Sequence, residues 1–187
     1  MAYQNATNVT IEGGTITGAS ISRSSITIQA GGCIDCQIKL NGTLHTDMQE
    51  VGNIGSGEDK LISYSMPASV LADNRQFIEI NAFGVVAANA NNKRIKLKFG
   101  STTLIDTGSV AANDGSWEIT AVISRVESSA EKCSVKIISD NTLIINKAVY
   151  TKALEDTTAT IDIYCTGEGV SDDDIIQEGL IIKWFSN

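Results

Sequence analysis

Arg94-Ile-Lys-Leu-Lys-Phe99 alternates without a break: Ile95, Leu97 and Phe99 fall on one side, Arg94, Lys96 and Lys98 on the other. A period of two with one apolar and one charged side is an antiparallel strand with its core behind it and water in front. Turn chemistry brackets the run, with Asn89-Ala-Asn-Asn92 before it and Gly100 after it. The same alternation places Trp117, Ile119, Ala121 and Ile123 on one face, and Ile161, Ile163 and Cys165 on another.

Outward from these three runs the texture repeats. Leu61-Ile-Ser-Tyr-Ser-Met66 stops at Pro67. Gln76 to Phe83 meets Gly84 and continues as Val85-Val-Ala87. Thr103–Thr107, Cys133–Ser139, Leu143–Thr151 and Gly179–Phe185 complete the strand-like runs. Leu143-Ile-Ile145 and Leu180-Ile-Ile182 are apolar on both faces, so they are expected to be buried twice, the second time against another subunit. Only Ala68–Asn74 has the composition for a helical turn. Eight or nine strands at about ten-residue spacing predict an all-β fold, an antiparallel two-sheet β-sandwich of jelly-roll type, with a closed barrel as the alternative.

Upstream, Ile11, Ile16, Ile21 and Ile26 recur every five residues among small polar residues. That spacing fits neither a helix face nor a flat strand. It suits an extended or β arm that buries its isoleucines only against further copies of itself, a trimerisation arm. The expected division is residues 1–60 for the arm and a glycine-rich joint, with a hairpin turn at Asn41-Gly42, and residues 61–187 for the sandwich.

The chain has 187 residues, 42% of them hydrophobic and 19% charged, enough for a real core. Its net charge of −8 and the lack of a basic cluster argue against nucleic acid as a partner. The N-terminus lacks a basic and apolar leader and the apolar runs are short, so synthesis in the cytoplasm and no membrane span are expected. Cys33-Ile-Asp-Cys36 has neither the partners of a zinc site nor a βαβ context, and Cys133 and Cys165 read as small core residues.

Enzyme constellations are hard to assemble. His45 is the single histidine, and no nucleophile elbow or phosphate-binding loop occurs. Glu79 and Glu118 are the acids least unsuited to glycan hydrolysis, but both read as wet-face residues. Ser171-Asp-Asp-Asp-Ile175 reads as a solvated acidic turn rather than a cation site. No cofactor or metal is expected.

Leu61-Ile-Ser-Tyr-Ser-Met-Pro-Ala-Ser-Val-Leu-Ala-Asp-Asn74 and the stretch from Ile78 through Asn89-Ala-Asn-Asn-Lys93 to Gly100 resemble a β-sandwich module of tailed-phage virion proteins. Thr103-Leu-Ile-Asp-Thr-Gly108 and Gly115-Ser-Trp-Glu-Ile-Thr-Ala121 continue the resemblance, which covers about residues 61–185. Gly13-Gly-Thr-Ile-Thr-Gly-Ala-Ser-Ile21 is similar to stretches that precede trimeric phage fibre domains. The module occurs in capsid cement (decoration) proteins and at the distal ends of tail fibres and tailspikes. The resemblance implies a homotrimer on the virion surface, with the major capsid protein as partner for a cement protein, or a host-surface glycan for a tail fibre or receptor-binding knob. Expected trimer contacts are Ile11, Ile16, Ile21, Ile26, Leu143, Ile145, Leu180 and Ile182. Tyr64 and Tyr150 are the candidate glycan contacts.

Overall fold

The computed structural model describes residues 41–142 and 144–186. They form eleven strands: β1 Asn41–Asp47, β2 Val51–Gly52, β3 Gly57–Met66, β4 Phe77–Val86, β5 Arg94–Phe99, β6 Thr102–Asp106, β7 Ser116–Glu127, β8 Ala130–Ser139, β9 Lys147–Ala153, β10 Ile161–Gly169 and β11 Ile175–Phe185. The described residues contain no helix, and the stretch after Pro67 is a series of turns with Ser69 and Arg75 at positive φ.

Two antiparallel sheets make a sandwich. The larger has the order β1-β11-β4-β7-β8-β9, with β2 also paired to β11, and the smaller has the order β3-β10-β5-β6. Open edges at β9 and β1, and at β3 and β6, decide for a sandwich over a closed barrel. The alternating runs behave as their period requires. Ile95, Leu97 and Phe99, then Trp117, Ile119, Ala121 and Ile123, then Ile161, Ile163 and Cys165 all point between the sheets and are buried. Gln177 is buried among them: its Oε1 accepts from the Ile62 amide at 3.1 Å and its Nε2 donates to the Gly179 carbonyl, which ties a bulge in β11 to β3. Gly84 lies inside β4, where a Cβ would run into the Ile176 carbonyl of β11.

Several expectations are corrected. Asn41-Gly42 is not a hairpin turn but the start of β1, opposite Phe185 and Trp184. The reason is the row of backbone groups along β11, which an extended chain satisfies better than a local turn. β1, β2 and the first half of β3 are therefore sheet strands, and the sandwich begins well before residue 61. Leu180 and Ile182 are not subunit contacts. Both are fully buried in the chain's own core, because the bulge between Gln177 and Gly179 turns them inward and leaves Ile181 facing out. The run expected from Leu143 starts as a strand only at Lys147, because Asp140 and Asn146 cap neighbouring backbone amides at Ser116 and Ser139 and hold the connection as a loop. Ile145 stands on that loop, 70% exposed. Leu143 and the ladder of Ile11, Ile16, Ile21 and Ile26 lie outside the described residues, as does Cys33-Ile-Asp-Cys36.

Candidate functional site

The two outward faces of the sandwich differ in kind. On the small sheet, Arg94 pairs with Asp106 at 2.7 Å and Glu168 at 3.4 Å, Lys60 pairs with Asp162 at 3.0 Å, and Lys96 pairs with Glu58. The Arg94 guanidinium holds the Asp106 carboxyl down to about 2, and Lys96 lowers that of Glu58. Lys60 also sits 4.4 Å from the centre of the Tyr164 ring. Exposed pairs of this kind add roughly 0–1 kcal/mol each and keep a face in water.

The outward face of the large sheet is built otherwise. Register aligns its side chains in cross-strand rows. One row runs Thr46, Ile181, Asn81, Thr120, Lys136 and Ala148 across β1, β11, β4, β7, β8 and β9. The next runs Thr43, Lys183, Glu79, Val122, Ser134 and Tyr150. On the other side Phe83 stands between Gly179 and Glu118, with Ile138 beyond. Phe77 and Phe185 stack at 4.6 Å in a further row. Val122 and Ile138 are about two-fifths exposed here. A water-facing sheet side normally carries polar residues at such positions, so this face is the candidate site.

Two depressions mark it. One of about 460 Å³ is lined by Glu79, Asn81, Thr120, Ser134, Lys136 and Lys183, among others. The other, of about 720 Å³, includes Asn81, Phe83, Glu118, Ile138 and Glu178. Asn81 and Ile181 line both. Asn81 Nδ2 donates to Glu118 Oε1 at 2.8 Å, which orients the amide, and Asn81 Oδ1 is shielded without a donor.

The Asn89-Ala-Asn-Asn-Lys93 motif has a different role. Lys93 is 1% exposed, and its ammonium donates to Asn89 O, Asn89 Oδ1, Asn91 O and Ala112 O at 2.7–3.3 Å. Asp174, fully buried, accepts from the amides of Val170 and Ser171 and from the side chains of Asn89 and Asn91. Burial pushes its carboxyl up, but these donors outweigh burial and hold it at about 2. The expectation of a wholly solvated acidic turn is therefore corrected: Asp174 is spent on locking loops, and Asp172 accepts from the Gly55 amide at 2.6 Å. Among the described residues no group of three or more acids, histidines or cysteines is placed to hold a metal.

The remaining sequence candidates are scattered. Tyr64 points between the sheets and stacks on His45 at 4.7 Å, so the ring faces a histidine rather than an open groove. Burial raises its phenol pKa. Tyr150 is 63% exposed and stands on the candidate face, beside Ser134. Cys133 and Cys165 are buried free thiols, pushed up by burial to about 11 and about 12. Glu79 and Glu118 share the candidate face, and Glu118 is tied to Asn81. Sequence reading missed Asn81 and Thr120; the period of two in their strands turns them outward, but only register brings them together.

No protein-family model matches the chain, and no curated protein sequence matches it. Among solved structures, the CBM2 module of the evolved Dit of Lactobacillus casei BL23 phage J-1 is similar at a TM-score of 0.43 and 10% identity, over 80% of this chain and 98% of that one. Peanut lectin with a nine-residue peptide is similar at a TM-score of 0.35 and 10% identity, over 79% and 87%. The infectious bursal disease virus VP2 subviral particle is similar at 0.22 and 11%, over 88% and 46%. Likenesses of this strength carry no residue roles across to this chain.

Proposed function

We propose that this chain is a non-enzymatic structural protein of a tailed-phage virion: a trimeric capsid cement protein that docks on the major capsid protein and carries its sandwich outward. The observation that carries the reading is the position of the fold in the chain. The first described strand starts at Asn41, the buried core spans residues 61–182, and the isoleucine ladder at 11–26 precedes both. A sandwich with its own core, preceded by a segment patterned for self-association, is suited to an arm that joins subunits and a head that faces out. Cement of this kind adds binding energy across capsid seams. Ile145, exposed on the loop before β9, remains a candidate contact.

Sedimentation equilibrium is expected to give three times 19.8 kDa, and quantitative mass spectrometry of purified virions is expected to give hundreds of copies by the size of a capsid lattice. A monomer at micromolar concentration sinks the trimer, and a few copies per particle sink the cement role. The second outcome favours a tail fibre or receptor-binding knob, the reading supported by the grooved outward face around Asn81.

A further inference from the structure

We infer that the groove on the outward face of the large sheet, centred on Asn81, Thr120, Glu118 and Phe83, binds a neutral oligosaccharide. The groove is elongated. The two depressions meet at Asn81 and Ile181 and together run along β4 from Glu79 to Val85. The six steps between those two residues span roughly 20 Å, a length for several sugar rings in line rather than one compact ligand. Volumes of about 460 and 720 Å³ fall in the range of ligand sites.

The lining suits a sugar on both of its sides. A pyranose offers hydroxyls around its edge and a C–H face above and below. Phe83, Ile181, Val122 and Ile138 supply apolar surface for the C–H faces. Thr120 and Ser134 supply hydroxyls, and the Asn81–Glu118 pair supplies an oriented amide and carboxylate. Asn81 Oδ1 is shielded beneath the lining and has no donor. An unmatched acceptor is costly, and a hydroxyl that parts the side chains above it completes its hydrogen bonding. Tyr150, next to Ser134 on the edge strand, extends the face with an exposed ring.

Charge selects against anionic ligands. Four carboxylates line the two depressions, Glu79, Glu118, Asp140 and Glu178, against the two ammonium groups of Lys136 and Lys183. Sulfated, phosphorylated and sialylated chains would meet this excess of negative charge on a chain that is already at −8. A neutral hexose chain meets carboxylate acceptors together with hydroxyl, amide and ammonium donors, and carries no charge of its own to be repelled.

The inference concerns the sandwich itself and not its place in the virion, so a test on the isolated protein can fail while the cement reading stands, and the reverse. Full-length protein is titrated by NMR and calorimetry with maltohexaose, cellohexaose, mannohexaose and galactohexaose, and with a heparin hexasaccharide as the anionic probe. At least one neutral hexasaccharide is expected to bind with a Kd of about 1 mM or tighter and to shift the amides of β4 and β7. Asn81→Ala is expected to weaken binding at least tenfold. Thr120→Arg, which fills the groove, is expected to abolish it, while Lys98→Ala on the opposite face leaves it unchanged. Melting temperatures read on the same samples check the fold, and if Thr120→Arg melts early then Asn81→Ala decides. The proposal is overturned if no neutral probe binds, if heparin binds better than all four, or if Asn81→Ala binds as wild type does.

Discussion

Lys93 shows how one residue sets the loops at one end of the sandwich. A buried ammonium survives only when its donors are used and charge lies nearby. Here four oxygens surround it, and burial pulls its pKa down while the Asp174 charge pulls it back up. Two of the three asparagines before it are not generic turn residues: Asn89 and Asn91 bridge the lysine and Asp174. Lys93→Met keeps the bulk but strands those oxygens and the Asp174 charge. The expected loss is about 3 kcal/mol in urea denaturation. A loss within the error of the measurement would mean that the cluster merely tolerates the lysine.

At the scale of elements, the β8–β9 hairpin carries a pH dependence. Glu131 sits on β8, opposite Arg125 and Ala153, and is 1% exposed. Its Oε2 accepts from the Glu155 amide at 3.2 Å and its Oε1 has no donor. Burial pushes its carboxyl up from its ordinary value of 4.5 to about 7, against the pull of that amide bond. Between those values the folded chain holds a proton that the unfolded chain has released, so stability falls as pH rises through the window. Asp106 and Asp174 act oppositely, since both are held near 2 from a reference of 3.8: their contribution is present above about pH 4 and is lost as pH falls toward 2. Glu131→Gln is expected to remove the decline between pH 4.5 and 7, at most about 3 to 4 kcal/mol at 1.4 kcal/mol per unit, and to leave the acid limb unchanged. Melting temperatures from pH 2 to 8 test this. Parallel curves for mutant and wild type would show that another group titrates there.

For the whole molecule the decisive boundary is where the sandwich starts. Residues 41–187 contain every described strand, whereas a chain begun at residue 61 lacks β1, β2 and part of β3. It would leave the β11 edge bare along its pairing with β1 and β2. Deleting residues 1–40 is expected to keep the β circular-dichroism spectrum and a cooperative melt, and to lose the trimer in sedimentation. Deleting residues 1–60 is expected to abolish the cooperative melt. If the 41–187 chain is unfolded, the upstream segment belongs to the core. If it remains a trimer, the sandwich and not the isoleucine ladder holds the subunits together.

How much of this was legible in the sequence depends on the range of the interaction. Alternation is local: it needs only the period of two, so Arg94–Phe99, Trp117–Ile123 and Ile161–Cys165 declared their strands, their buried faces and hence the sandwich class. Bulges are local too, but they have no composition mark, and one of them turned Leu180 and Ile182 from expected subunit contacts into core. Strand pairing is long-range. The partner of Asn41-Gly42 lies more than a hundred residues away at Phe185 and Trp184, and the turn signal of the dipeptide gave way to the open hydrogen-bonding edge of β11. The groove has the same origin. Asn81 and Thr120 are unremarkable polar residues in sequence, and Glu118 reads as a wet-face acid. Only the register of β4 on β7 puts the amide against the carboxylate, because in a sheet the neighbours that meet are those across the strands and not those along the chain.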